Sequence, residues 1–362
     1  MRDVVRGVTA AVVALLAMAF VAGAALLLLD ANRFGSWASL TAAIIALAVG
    51  GAAGFDATPS GGLPITIHGA IHLMPLGISL TGAFVLGALL LRHGRTGLPV
   101  RTAAAAAAFP AGLAATALAA RGTLTLRLPG GFAASGCGPD LPFRGALPSS
   151  LSTAFSVDVA PAAATAAIGV LAVAGVCWAA LRFPAFAAGL RGALTAMGAL
   201  TAVCLVAAVT FGGAAAAGGV LLVLPQVVST VLLPGLGVPM TLPCGVQPSH
   251  TWLSAVVLLG CGIVVAARTR HRPGGPPHRA AVIAVRLGPA LGAVLAVLAL
   301  LSRVSLELGV AVFSFSIPVL GANPLLALGA GLAGGALAGF AGSLLVDAFR
   351  SRSSVPSRTW KR

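Results

Sequence analysis

Apolar runs of roughly the length that spans a bilayer recur from one end of the chain to the other, and no break between them reaches 40 residues. An apolar helix of ~20 residues matches the ~30 Å hydrocarbon core of a membrane. In that medium only structures that satisfy every backbone N–H and C=O internally are stable. The runs therefore predict an all-α, polytopic transmembrane helix bundle. The longest break, residues 121–159, is rich in Pro and Gly and too short to hold a soluble domain with its own core. A mean hydropathy of +1.05 and 47 glycines agree with this. Helices in lipid associate through close backbone approach at small residues rather than through hydrophobic burial.

Eight spans read as crossing helices: 8–29, 75–91, 102–120, 160–181, 192–217, 252–267, 280–301 and 325–346. Two further segments, 37–53 and 218–236, are apolar but short, or interrupted by Pro225 and Pro234. The first span follows only two arginines and holds about 22 apolar residues. That exceeds the ~7–15 apolar residues of a secretory signal and reads as a retained helix.

Charge decides how the two short segments are placed. Cytoplasmic loops accumulate Arg and Lys. If both short segments return to the side they came from, 17 of the 22 basic residues fall inside. Outside are Arg33, Arg121, Arg127, Arg144 and Arg303, matched in number by Asp30, Asp56, Asp140, Asp158 and Glu307. If both cross instead, the arginines at 92, 95, 101, 182 and 191 move outside and the asymmetry weakens. The expectation is thus a plasma-membrane protein with eight crossings, two re-entrant or surface segments and both termini cytoplasmic. Arg286, inside the seventh span, can snorkel to the inner interface. A net charge of +15 arranged this way belongs to orientation and to anionic lipid at the cytoplasmic face, with no nucleic acid partner.

The same layout occurs twice, over residues 1–191 and 192–348, followed by a basic cytoplasmic tail at 349–362. Each repeat reads as four crossing helices and one short segment. The orientation is the same in both, as in a parallel repeat about an axis along the membrane normal. The ARGTLTLRL stretch, residues 120–128, resembles SRVSLELG at 302–309, and both alternate apolar and polar residues as strands do. A small extracytoplasmic β element is expected there, at or above the interface because open strand edges do not exist in lipid.

Few residues could carry chemistry. His68 and His72 are spaced i, i+4 and on a helix would share one face. Three readings stay open for them: interfacial histidines, part of a solute or proton path, or metal ligands. Zinc would need further ligands, and the nearby acid is Asp56. His250, at the corresponding place in the second repeat, is a third candidate for the path. Cys137 and Cys244 fall in the outer loops, where an oxidising exterior permits a disulfide between them or leaves them separate. Asp158 and Glu307 read as counter-charges to Arg121, Arg127 and Arg303, or as a carboxylate pair for acid–base work on a lipid-borne substrate. No nucleotide, hydrolase, kinase or metal motif occurs, so neither catalytic residues nor a cofactor are assigned.

The stretch HGAIHLMPLGISLTG, with the Ala/Gly-rich layout and the alternating outer loops, resembles the streptophobe family of actinobacterial integral membrane proteins. The resemblance implies a membrane protein of unassigned activity and marks His68, Gly69, Met74, Pro75, Leu76 and Gly77 as a shared motif, not a catalytic one. Taken together, the sequence points to a channel or transporter-like bundle with a site between its halves near the outer face. A membrane scaffold or envelope-assembly partner is the alternative, and the protein partner is unknown.

Overall fold

The computed structural model describes residues 1–33, 35–57, 67–92, 94, 96–127, 150–241, 251–268, 276–302, 304–310 and 313–353. Nine helices and seven strands are formed by these residues. The helices are α1 (Arg2–Leu28), α2 (Trp37–Ala48), α3 (Leu76–Leu91), α4 (Leu98–Ala119), α5 (Val159–Arg182), α6 (Pro184–Gly235), α7 (Thr251–Arg268), α8 (Pro276–Leu301) and α9 (Pro324–Ser353). The strands are β1 (Ala53–Ala57), β2 (Ile67–His72), β3 (Arg121–Arg127), β4 (Ser150–Val157), β5 (Met240–Thr241), β6 (Val304–Val310) and β7 (Phe313–Ala322).

Among the described residues, six helices are long and apolar enough to cross a membrane: α1, α4, α5, the part of α6 from Cys204 to Val223, α8 and α9. Their apolar residues are not gathered on a core-facing stripe. Phe20, Phe211, Val285 and Leu337 are among the large apolar side chains turned outward. An exterior this apolar is stable against lipid and not against water. The chain is a multi-pass membrane protein.

Every strand lies in a connection at one end of the bundle, between α2 and α3, α4 and α5, α6 and α7, or α8 and α9. The helix ends that flank the basic stretches, Leu91 and Leu98, Arg182 and Pro184, and Arg268 and Pro276, lie at the other end, a helix length away. The strands join into one seven-stranded sheet of order β3-β4-β1-β2-β6-β7-β5. All of its neighbours pair antiparallel. Among the described residues the buried apolar side chains form four clusters, two of them large. One gathers Ala14, Met18, Ile78, Leu86, Leu113 and Val170 from the first half of the chain. The other gathers Val228, Leu233, Leu258, Leu295 and Ala327 from the second.

Glycine sets the packing where helices touch. Cβ atoms at Gly288, Gly292 and Gly335 would come within 3.0 Å of the facing backbone of α8 or α9, and Gly262 of α7 lies against the Ala338 carbonyl. This is the small-residue packing expected of helices in lipid.

The two short segments behave differently from the crossing helices. At 12 residues, α2 spans only ~18 Å. Ser39 near its start sits beside Gly122 of β3, and Gly51 just past its end sits beside Val157 of β4. Both ends of α2 therefore lie at the sheet end of the bundle. The segment expected at 37–53 is shorter as a helix, because the chain turns at Gly50 (φ 95°) and enters β1. The segment expected at 218–236 is continuous in the chain with the helix before it, but the joint falls at Gly213 (φ 71°, ψ −167°), a conformation only glycine adopts freely. A second break occurs at Val223, two residues before Pro225.

Candidate functional site

The helical reading of the histidine pair is corrected by the structure. His68 and His72 lie in β2, where four residues span ~13 Å rather than one helical turn. On a strand the pair cannot ligate a single ion between them. Register sets His68 opposite Asp56 on one side and Gly309 on the other, and His72 opposite Ser305. Among the described residues no three His, Cys, Asp or Glu come together as a metal-holding group. His250, Cys137 and Cys244 lie outside the described residues.

The carboxylate pair is also separated. Asp158 comes directly after β4, and Glu307 is in β6, with β1 and β2 between them. Three interstrand steps amount to ~14 Å, too far for two carboxylates to work on one bond. The Asp158 backbone N–H donates to the Ala52 carbonyl (3.2 Å), which fixes the start of α5 to β1.

The motif residues, by contrast, converge on one place: the seam between the two halves of the chain. Six registered pairs join β2 to β6. Opposite Gly69 stands Phe55, whose ring fills the space a Cβ would need. The Met74 carbonyl accepts a hydrogen bond from the side-chain amide of Gln226, which is buried in α6. Pro75 caps α3, where its lack of an N–H costs nothing. Leu76, 2% exposed, leaves the first half and packs in the second core with Val228, Leu232 and Leu258. Gly77 lies against the Leu221 carbonyl of α6. That carbonyl has no helical partner, because the residue four positions on is Pro225.

Under the β2–β6 ladder lies a cavity of about 220 Å³ lined by Gly50, Gly51, His72, Leu73, Met74, Leu300 and Leu301. Gly50, Gly51 and residues 72–74 come from the first half, Leu300 and Leu301 from the end of α8 in the second. His72 is the one titratable side chain in the lining, half-buried, and the rest of the lining is apolar side chain and glycine backbone. Such a wall accepts a small solute with an apolar body and one polar group that the imidazole can meet as donor or acceptor. Ser79 of α3 donates to the Ala48 carbonyl and so ties α3 to the end of α2, two residues before Gly50.

A second buried polar cluster sits at the opposite end. Arg101, 1% exposed, donates from its guanidinium to the carbonyls of Leu90 (3.2 Å), Gly94 (2.8 Å) and Thr96 (2.6 Å), and its Nε lies 3.7 Å from Asp3. These contacts go to the turn between α3 and α4 and to the start of α1. The cluster is a brace for that turn.

Sequence reasoning missed Arg101 and Gln226. Arg101 looked like one more inner-loop arginine, and Gln226 stood out only as the polar residue beside Pro225 in an apolar run. No family model matches the chain, and no curated protein or solved structure is similar to it.

Proposed function

We propose that the protein is a transporter-like bundle of two same-orientation halves that takes a small amphipathic solute into the cavity at His72, from the extracytoplasmic side of the plasma membrane. The observation that carries this reading is the cavity itself: it lies between the halves, at the sheet end, and includes a histidine of the seam. In this reading eight helices cross, α6 among them by its part before the Gly213 joint, while α2 and residues 214–235 stay in the outer part of the membrane and both termini are cytoplasmic. Support for the orientation comes from charge, since the helix ends that flank the basic stretches of the sequence are at the end away from the sheet.

Support for the internal repeat comes from the sheet order. In the first half it runs β3-β4-β1-β2, and in the second β6-β7-β5. By chain position β6, β7 and β5 are the counterparts of β3, β4 and β1, so the two halves share the same order head to tail. The two largest of the four apolar clusters, one drawn mainly from each half, agree with it. Kinship with the streptophobe proteins, read from residues 68–77, belongs to the same proposal.

The test is accessibility. With the five native cysteines replaced, single cysteines are placed at Leu73 in the cavity, Ser156 on the sheet and Arg182 at the basic end. A membrane-impermeant maleimide added to intact cells is expected to label positions 73 and 156 and to spare 182. Labelling of 182 from outside refutes the orientation. Labelling of 156 with none at 73 refutes a solute site open to the exterior.

A further inference from the structure

We infer that the outward face of α8 holds one anionic phospholipid, its headgroup on Arg286 and an acyl chain along the helix beyond it. The inference goes beyond the solute cavity and stands whether or not that cavity takes a solute. Arg286 lies inside a membrane-length apolar segment, Ala280–Leu301, six residues or ~9 Å from its start. It is exposed, and among the described residues it has no ion-pair or hydrogen-bond partner. The acid of the neighbouring helix does not reach it. Gly339 of α9 faces Ala284, and Gly335 faces Gly288, so the two helices run antiparallel and Asp347 is level with the start of α8. That is ~15 Å along the axis from Arg286.

A charge that faces lipid at this depth is costly without a counter-charge. The nearer headgroup layer supplies one. Side chains on a helix tilt toward its N-terminus, and α8 starts at the end away from the sheet, so the guanidinium leans back toward that layer and meets a phosphate with a fork of donors. A partner helix would instead have to carry an acid to the same depth. On the same outward face Pro289 supplies no N–H to the Val285 carbonyl one turn before it. A headgroup that bears a negative charge and a hydroxyl, as phosphatidylglycerol does, satisfies both the guanidinium and that carbonyl. The surface beyond suits the tail. Val285 is 73% and Val297 52% exposed, and the outward residues between them include the small Pro289, Ala290 and Ala293. They form a shallow apolar recess ~18 Å long, enough for one leaflet's share, ~15 Å, of the hydrocarbon core. Ile283, Gly288, Gly292 and Leu295 face inward and leave this side of α8 to the lipid.

The experiment uses the full chain, purified and delipidated in mild detergent, with phosphatidylglycerol as the anionic probe and phosphatidylcholine of the same acyl chains as the neutral one. Retained lipid is read by native mass spectrometry. The first phosphatidylglycerol is expected to bind about fivefold more tightly than phosphatidylcholine, the worth of one basic residue beside anionic lipid. Arg286→Gln is expected to abolish that difference. Arg92→Gln, which removes an exposed arginine from the same end of the bundle, is expected to keep it. Equal losses in the two variants, or none in Arg286→Gln, overturn the site, because diffuse attraction follows net charge and not position. A second measurement needs no variant to fold. Phosphatidylglycerol with a photoreactive group in its acyl chain, reconstituted with the unaltered protein and irradiated, is expected to mark residues 285–297. Adducts confined to other helices overturn the inference, as does a second polypeptide chain cross-linked to this face in place of the lipid.

Discussion

Replacing Arg101 by Met keeps most of the side-chain volume and removes the guanidinium that ties three carbonyls of the α3–α4 turn together. Each hydrogen bond to a charged group contributes about 1.5–3 kcal/mol. Simple addition over the three contacts at 2.6, 2.8 and 3.2 Å overshoots, because Gly94 and Thr96 belong to a turn at the end of the bundle, where water can replace part of what is lost. The Leu90 carbonyl, at the C-terminus of α3, is the one left buried. A loss of about 1–3 kcal/mol is expected, the cost of leaving a buried acceptor without its donor. Asp3 is different. Its side chain is 38% exposed and 3.7 Å from Nε, so Asp3→Asn is expected to cost no more than about 1 kcal/mol. Arg101→Lys keeps the charge but replaces the fork that reaches three carbonyls, and should fall between the two. The assay is reversible unfolding in mixed micelles monitored by tryptophan fluorescence. A loss below about 1 kcal/mol for Arg101→Met, typical of an exposed ion pair, would refute the buried-brace argument. So would an Asp3→Asn effect as large as that of Arg101→Met.

Gly335→Leu forces atoms into a contact where a Cβ alone would already lie 3.0 Å from Gly288, Leu287 and Leu291. Overpacking of this kind costs about 1–3 kcal/mol, with a lower unfolding midpoint in micelles. Gly329→Ala in the same helix meets nothing within 4 Å, and should stay within about 0.5 kcal/mol. Gly69→Val displaces the Phe55 ring from its cross-strand seat and should lower the yield of monodisperse protein, with Phe55→Ala partly compensating. Calorimetric titration with zinc should give no saturable one-to-one binding that is lost on His68→Ala, because a strand holds His68 and His72 ~13 Å apart.

The crossing helices were legible because lipid imposes a length and a composition that sequence carries directly. Spans expected at 102–120, 160–181 and 280–301 agree closely with α4, α5 and the apolar part of α8. Alternation exposed Arg121–Arg127 and Val304–Val310 as strands in the same way. Residues 67–72 misled for a physical reason. Ile65, Ile67 and Ile71 alternate with Thr66, His68 and His72, a period-two pattern in plain view. The i, i+4 spacing of the histidines drew the reading to a helix because helices dominate the surroundings. Alternation over a run that short is outweighed by context unless it is counted. The joint at Gly213 was hidden for a different reason: in FGGAAAAGG many glycines could serve, and only the backbone path selects one. Gln226 and Arg101 were hidden because their roles are long-range hydrogen bonds, to Met74 and to the α3–α4 turn, and no local pattern announces those.

The seam separates what packing requires from what it does not. Gly69, Pro75, Leu76 and Gly77 each have a steric reason: the Phe55 ring, the start of α3, the second core and the Leu221 carbonyl. The ladder pairs His72 with Ser305 through the backbone, a pairing that a strand former of similar size also provides. His72→Leu keeps that pairing and is expected to lose no more than about 1.5 kcal/mol, the net worth of one side-chain contact. Leu76→Ala, which empties a 2% exposed site in the second core, should lose about 2–5 kcal/mol. Equal losses from the two substitutions would make the histidine a structural residue of the seam and remove the reason to place a solute beside it. A stable His72→Leu protein leaves the imidazole with a role that the fold alone does not explain, at the position where it borders the space between the halves.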